Sequence, residues 1–334
     1  MIREGLKAVK QNLIYVVVGS LLAGLAFGQV AASGVRNILQ AAILPVLFVM
    51  IYPMMINIDL REVVNVRQHA TVVILTLILN FVAAPLVAIG LAEIFFAGSA
   101  AFAIGLYFIA LIPTSGMTAA WTGLAGGDLE SALVAMSINL LAAIAILPLY
   151  LSVLVGSGVG FNPTALYRQL AVIVLIPMLA GVLTRTGLLH RYSEPEFKRL
   201  KPLFGGVSSI GVMMIVFIAM SMRSRAILAD PLASMSAIVP LIAFYVAILG
   251  LASGVGRVFL DTERSVSLVY ATSMRNLSIA IAIVAAPGFP PAEAILPIAL
   301  AYIIQPPLGA VYMHYRRDVV EKGLNLREVV VDFV

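Results

Sequence analysis

The sequence predicts an all-α, polytopic membrane protein with ten transmembrane helices in an inverted repeat of five plus five, residues 1–155 and 156–334. Composition is the first reason: 62% of the 334 residues are hydrophobic and only 11% are charged, whereas soluble domains carry about 25% charged residues. The second reason is that the apolar runs approach the roughly 20 residues that cross a bilayer core. The third is that the two halves of the chain resemble each other.

Ten apolar spans follow one another along the chain. The first span has a basic lead-in and could pass for a signal peptide, but nine further spans follow it, which favours an uncleaved helix. The spans are placed at residues 12–29, 37–56, 71–94, 100–124, 129–155, 166–184, 203–222, 234–256, 265–287 and 290–314.

Lysines and arginines fall mostly on one side of these spans. Sixteen lie on the side of the N-terminus and four on the opposite side. The positive-inside rule therefore places both termini in the cytoplasm, and the protein is expected in the inner membrane of the cell. One basic residue of the 21, Arg275, lies inside span nine.

Spans four and nine, which correspond in the predicted repeat, carry breaks in matching positions. Span four is interrupted at PTSG (Pro113 to Gly116) and span nine at ATSMRNLS (Ala271 to Ser278). A small, apolar segment with one amide follows each break, Asn139 in the first half and Gln305 in the second. Inverted halves with interrupted helices at a midplane site are the usual plan of a secondary transporter. A proline kink, with hydroxyls bonded to freed carbonyls, would explain span four alone.

Arg275 is informative because a central arginine costs about 2.5–3.5 kcal/mol on insertion scales. Snorkelling has little support, since the mostly apolar stretch NLSIAIAIVAA follows it. Pairing has little support either, since the nearest acidic residues, Glu93 and Glu293, lie at the ends of spans three and ten. A buried cation without a counter-ion suits a site that receives an anion.

The candidate substrate-binding residues are the polar side chains at the two breaks and the amides of neighbouring spans. Pro113 and Gly116 are expected to hold the break in span four open. The candidates are Arg275, Asn276, Thr114, Ser115, Thr118, Asn80, Asn139, Ser273, Ser278 and Gln305.

Four stretches carry a family pattern: VMIYPMM, LILNFVAAPL with Asn80, MTAAWTGLAGGDLESALVAMSIN with Asn139, and RNLSIAIAI. They resemble the arsenite permeases of the arsenical-resistance family, within the bile acid/sodium symporter superfamily. The resemblance implies ten helices in a five-plus-five inverted repeat. It also implies a panel domain of spans 1, 2, 6 and 7 that moves against a core domain of spans 3–5 and 8–10, in which broken helices four and nine cross.

The chain departs from that family pattern at chemically important positions. The arsenite permeases carry a thiol where this chain has Thr114, and a glutamate where it has Ser278; the chain contains no cysteine. Trivalent arsenic is soft and prefers thiolate ligands. In the bile-acid branch, sodium is held by oxygen ligands, which that cation requires. The corresponding places here are taken by Ala119, Ala132, Met136, Ala271 and Arg275.

The sequence therefore predicts a secondary transporter that moves a small anion or oxyanion by alternating access, with efflux favoured over uptake and without sodium. The alternatives are an arsenite efflux permease, a sodium-coupled organic-anion symporter of the bile-acid type and, from another class, a channel or membrane sensor. No P-loop, dinucleotide fingerprint or catalytic dyad occurs, so neither an enzyme nor a cofactor is expected. The three histidines form no metal-binding pattern. The expected partners are the anion, the lipid bilayer and, as an option, a second copy in a homodimer, but not nucleic acid.

Overall fold

Helices make up nearly all the regular structure of the described residues. A computed structural model describes residues 13–57, 66–154, 171–229, 235–285 and 292–316, together with the isolated residues 164, 167, 168 and 231. One isolated β-bridge is the exception among them. The predicted boundary between the halves, at residues 155 and 156, lies outside the described residues, as do both termini.

Twelve helices of eight or more residues are found within the described ranges. Two predicted spans, four and nine, each consist of two short helices instead of one long helix. In chain order the helices are α1 (Leu13–Val30), α2 (Ser33–Ile56), α3 (Ala70–Phe95), α4 (Ala100–Leu111), α5 (Met117–Leu124), α6 (Leu129–Leu154), α7 (Ala171–Arg191), α8 (Glu194–Ala229), α9 (Ile238–Phe259), α10 (Thr262–Ser273), α11 (Leu277–Ala285) and α12 (Ile295–His314).

Seven helices in the described part of the chain are long and apolar enough to cross a membrane: α2, α3, α6, α7, α8, α9 and α12. Two more apolar helices are shorter, within α1 and α4. Large hydrophobic side chains such as Val153 (79% exposed) and Leu183 (73% exposed) point away from the protein, as expected where lipid is the solvent. The protein is thus a multi-pass membrane protein, whereas ten spans and an inverted repeat stay predictions.

Helices α1, α2, α7 and α8 pack closely together. Glycines permit this approach: a Cβ on Gly28 of α1 would lie 2.2 Å from the carbonyl oxygen of Ser221 in α8. A Cβ on Gly211 of α8 would likewise lie 2.6 Å from the Cα of Met50 in α2. Small residues let membrane helices come close enough for backbone contact, so these glycines permit the close contacts of α8 with α1 and α2.

The remaining helices, α3 to α6 and α9 to α12, contact one another and enclose the two helix breaks. Contacts between the two groups run mainly through α11 and α12 on one side and α1, α2 and α8 on the other. The division into a panel and a core domain, and the movement of one against the other, stay predictions.

Helix α8 begins at Glu194, nine residues before the predicted span 203–222. The missed signal is a capping box, in which Ser193 precedes the helix and Glu196 follows three residues later. The carboxylate of Glu196 accepts hydrogen bonds from the backbone N–H (2.9 Å) and the hydroxyl (2.8 Å) of Ser193. Pro195 is tolerated because the first turn of a helix has no partner for its N–H in any case.

Candidate functional site

The two helix breaks pair with each other. Thr114 and Arg275 form an antiparallel β-bridge, in which the N–H of Ser115 donates to the carbonyl of Met274 and the N–H of Asn276 donates to that of Pro113, both at 2.8 Å. Backbone groups freed by each break are therefore satisfied by the other break. Hydrocarbon tolerates an irregular backbone only where protein or a cavity covers it, so each break depends on the other.

Local sequence explains where the helices stop and restart. Ile112 is extended (φ −66°, ψ 143°), because a residue before proline avoids helical geometry. Helix α5 restarts with the hydroxyl of Ser115 accepting from the N–H of Met117 at 3.2 Å. Helix α11 restarts with the side-chain oxygen of Asn276 accepting from the N–H of Ile279 at 3.2 Å. Both restarts are thus capped by break residues.

Arg275 is buried at the pairing of the two breaks, with 1% of its surface exposed. Its Nη1 donates to the carbonyl of Ile112 at 3.4 Å, whereas its Nε and Nη2 have no hydrogen-bond partner. No aspartate or glutamate is buried anywhere in the described ranges. The site therefore presents one positive charge with two free donors, and an unpaired donor in such a place is costly.

Gln305 of α12 and Tyr245 of α9 hold the backbone of Arg275. The amide nitrogen of Gln305 donates to the Arg275 carbonyl at 3.1 Å, and its amide oxygen accepts from the Arg275 N–H at 2.9 Å. The same oxygen accepts from the hydroxyl of Tyr245 at 2.9 Å. Gln305 thus acts as a clamp on the peptide of Arg275, with its own polar atoms occupied.

Thr114 lies opposite Arg275 across the bridge. Its hydroxyl is buried and has no partner. Residues directly opposite in an antiparallel pair place their Cβ atoms about 4.5–5.5 Å apart on the same face. The free hydroxyl of Thr114 and the side chain of Arg275 therefore leave the bridge on the same side.

The other hydroxyls predicted at the site bond to neighbouring helices or to their own helix. The hydroxyl of Thr118 donates to the carbonyl of Tyr270 at 3.2 Å, and that of Ser273 donates to its own helix at Val269, at 2.8 Å. Ser278 shares a hydrogen bond with the hydroxyl of Tyr302 at 2.8 Å. These contacts join α5 to α10 and α11 to α12 around the crossing.

Asn80 and Asn139 connect α3, α6 and α10. The amide nitrogen of Asn80 donates to Asn139 at 2.7 Å and to the carbonyl of Ala271 at 3.1 Å, and its amide oxygen is unpaired. Asn80 lies in a π-helical turn, Leu79–Ala83. The turn precedes Pro85, which has no N–H to donate to the carbonyl of Phe81, four residues earlier.

Three tyrosines near the crossing escaped the sequence analysis. Tyr150 of α6 donates to the carbonyl that Pro85 leaves free, that of Phe81. The hydroxyl of Tyr245 donates to Gln305, and the hydroxyl of Tyr302 shares a hydrogen bond with Ser278. A hydroxyl inside an otherwise apolar span was the available signal, since buried tyrosine normally finds a hydrogen-bond partner.

A charged cluster lies at the α5–α6 turn, outside the spanning helices. Asp128 accepts from the backbone N–H groups of Glu130 (3.0 Å) and Ser131 (3.1 Å), and its carboxylate lies 3.8 Å from His69 and 3.7 Å from Arg264. Partial burial raises the pKa of Asp128, but the hydrogen bonds from Ser131 and Glu130 and the charge of His69 outweigh burial and hold that pKa below its ordinary value. The described residues contain no group of three or more His, Asp or Glu side chains suited to a metal.

Curated proteins of two kinds are similar in sequence to the chain. Two arsenical-resistance proteins named Acr3 are similar to the chain: that of Alkaliphilus metalliredigens is 22% identical over 71% of this chain and 72% of its own length, and that of Corynebacterium glutamicum is 24% identical over 71% and 67%. A sodium/bile acid cotransporter 7 from Danio rerio is 30% identical over 34% of this chain and 32% of its own length.

The family comparison covers more than half of the chain. Residues 44–230 match the sodium bile acid symporter family, a range that runs from within α2 to the end of α8 and includes the first helix break. This agrees with the resemblance drawn from the sequence motifs. The chain belongs to the sodium bile acid symporter family, a family of membrane transporters.

Proposed function

We propose that this chain is a secondary transporter that carries a small anion or oxyanion by alternating access, with the substrate bound where the two helix breaks pair. The observation that supports it most is Arg275, which is buried, has two unpaired nitrogen atoms and has no buried acid to balance it in the described residues. A charge in the membrane interior is expensive and normally functional. An anion would supply both the missing charge and the missing acceptors.

The surrounding structure supports a carrier over a channel or a sensor. The pairing joins residues 113–115 of the first proposed half to residues 274–276 of the second. In the proposed inverted five-plus-five fold, the group α3 to α6 with α9 to α12 is the core domain. The group α1, α2, α7 and α8 is the panel domain. Movement of one against the other would expose the crossing alternately to the two sides.

Export is favoured by the membrane potential. We propose an inner-membrane location with both termini cytoplasmic. An anion leaving a cell with a negative interior gains about 2.3 kcal/mol per charge per 100 mV, so export needs no coupling ion. Reorienting the empty carrier would move the bare charge of Arg275 across a dry barrier, and anion binding would lower that cost. We therefore expect the protein to exchange one anion for another, or to export anions driven by the membrane potential.

Transient currents from proteoliposomes on a solid-supported membrane test this function. Concentration jumps of the potassium salts of acetate, nitrate, sulfate and phosphate should give, for at least one anion, a current that saturates with concentration. Arg275→Ala should abolish it. Arg185→Lys is the matched control, because Arg185 is also a buried arginine, on α7, with its guanidinium 4.9 Å from the centre of the Phe197 ring. Its current should match wild type.

Two results would contradict the proposal. A current from Arg275→Ala equal to wild type would make Arg275 structural. A current that rises linearly without saturation, and without counterflow of a labelled anion, would favour the channel.

Arsenite efflux is the second candidate, because two relatives are named arsenical-resistance proteins. Thr114 stands where the resemblance places a thiol, so this chain would have to hold neutral As(OH)3 through hydrogen bonds from Thr114 and Arg275. A neutral substrate gains little binding energy from the charge and the paired parallel donors of a guanidinium. Arg275→Lys should therefore keep most arsenite transport, whereas anion transport should fall strongly.

A further inference from the structure

The unpaired edge of the Arg275 guanidinium limits the shape of the anion that the site can bind. Nη1 is turned to the carbonyl of Ile112, at 3.4 Å, while Nε and Nη2 have no partner. The N–H bonds of Nε and Nη2 are parallel and leave the same edge of the planar group. That edge matches two oxygen atoms of one planar oxyanion, as in bidentate arginine–carboxylate pairs.

A third free group lies on the same face. The hydroxyl of Thr114 is buried without a partner, and Thr114 lies directly opposite Arg275 in the bridge. It can donate to an oxygen already held by the guanidinium, or to a third oxygen in the same plane. The site thus offers three donors toward one oxyanion.

The charge at the crossing is limited to one. The other buried arginines in the described ranges, Arg185 and Arg316, lie on α7 and just beyond α12. The helix starts offer little more, because the N–H of Met117 bonds to Ser115 and that of Ile279 to Asn276. A divalent anion would keep one uncompensated charge in a medium of low dielectric, which is costly.

From these three observations we infer that the crossing binds a planar, singly charged oxyanion, held side-on by Nε and Nη2 of Arg275 and contacted by the hydroxyl of Thr114. The inference rests on the proposed function and names its substrate class. Organic carboxylates and the inorganic anions bicarbonate and nitrate share this chemistry. Tetrahedral divalent anions such as sulfate, and spherical anions such as chloride, do not.

Thermal unfolding of the purified full-length protein tests which class of anion binds. A transport assay is less suitable, because weak acids that cross the membrane unaided would obscure carrier-mediated transport. The probes are potassium salts of acetate, lactate, benzoate, bicarbonate, nitrate, chloride, sulfate and phosphate, plus arsenite, each up to about 10 mM, ten times a 1 mM dissociation constant. Planar monoanions should raise the unfolding temperature. Comparing the carboxylates with bicarbonate and nitrate then shows whether organic or inorganic planar anions bind more tightly.

Three variants locate the binding. Arg275→Lys should weaken the best planar anion about tenfold or more, since a point charge lacks the fork. Thr114→Val should weaken it about fivefold, by the loss of one hydrogen bond. Thr122→Val is the matched control, because Thr122 also has a buried, unpaired hydroxyl but lies on α5, away from the bridge. Affinity in Thr122→Val should equal that of wild type.

Each other outcome overturns the inference, and the outcomes separate it from the proposed function. Tighter binding of sulfate or phosphate, lost in Arg275→Lys, overturns the planar class and leaves an anion carrier standing. Equal binding in wild type and Arg275→Lys overturns the side-on contact. Arsenite binding with no response to any anion overturns both. No response to any planar anion overturns the inference, and the current assay then decides the proposed function separately.

Discussion

Gln305 should control the position of Arg275, and Gln305→Leu tests this most sharply. The substitution shortens the side chain by one atom and removes the amide that bonds to the N–H and the carbonyl of Arg275 and to the hydroxyl of Tyr245. All three partners are buried. Leucine therefore removes three hydrogen bonds in a site shielded from water. The N–H of Arg275 keeps its bond to the carbonyl of Ser273, and the carbonyl of Arg275 keeps its bond to the N–H of Leu277. The hydroxyl of Tyr245 loses its partner.

The size of the effect follows from these three bonds. A net hydrogen bond contributes about 1 kcal/mol, and a buried group left unsatisfied costs about 1–3 kcal/mol. Gln305→Leu loses two bonds to the Arg275 backbone at about 1 kcal/mol each and leaves the Tyr245 hydroxyl unsatisfied at about 1–3 kcal/mol, so it should lower the free energy of unfolding by about 3–5 kcal/mol. Tyr245→Phe removes only one of the three bonds and leaves the clamp on Arg275 intact. It should cost about 1 kcal/mol.

Thermal unfolding and transport currents of the two variants form the assay. Tyr245→Phe should keep most of the anion-driven current, whereas Gln305→Leu, where it folds, should lose at least tenfold because Arg275 is no longer fixed. The reasoning fails if the two variants lose equal stability. It also fails if Gln305→Leu transports anions as well as wild type.

Three further predictions concern the break, the coupling and the turn. A Cβ on Gly116 would meet no atom within 4 Å, and the φ of Gly116, −61°, suits any residue. Gly116→Leu should therefore fold, with a loss of about 1 kcal/mol or less in the free energy of unfolding, and should block the anion current. A normal current would mean that the break is only a kink. Ala119, Ala132 and Ala271 offer no side-chain oxygen, so replacing sodium by choline should leave transport unchanged, and loss of transport would refute sodium independence. Asp128→Ala should cost about 1 kcal/mol as a lost helix cap. Because the pKa of Asp128 is lowered in the folded protein, its ionised form stabilises the fold above the ordinary pKa of about 3.9. The difference in unfolding temperature between wild type and Asp128→Ala should therefore disappear as the pH falls below that value. A difference independent of pH would contradict this.

The breaks and the buried arginine were predictable because they violate simple rules. Proline and glycine within one apolar run, and a charge within another, stand out against the composition of a membrane helix. The structure places Pro113 and Arg275 in two breaks that pair. The family was also predictable from short motifs and is confirmed by the match to residues 44–230.

The division of labour among the polar residues was not predictable. Gln305, Thr118 and Ser278 all looked like substrate contacts, yet their polar atoms are bonded within the protein. A sequence shows which side chains carry donors and acceptors, but only three-dimensional packing shows which donors remain unpaired. The free groups are few, and they include Thr114 and the outer edge of Arg275.

Local helix geometry was not predictable where side chains outweigh hydropathy. The capping box at Ser193 starts α8 well before its apolar part. The π turn at Leu79–Ala83 depends on a proline within its own helix and on a hydroxyl from another helix, that of Tyr150. A window of apolar residues contains no information on either contact.

The most direct test of the account is the distance between the bound anion and the guanidinium of Arg275. Rotational-echo double-resonance NMR on protein labelled with [15N]arginine in membranes, with a [13C]carboxylate as ligand, measures dephasing of the carboxylate carbon. Side-on binding predicts a carbon–nitrogen distance of about 4 Å or less. The signal should therefore dephase in wild type and not in Arg275→Lys. Dephasing that persists in Arg275→Lys, or a bound ligand in wild type that does not dephase, would contradict the central claim.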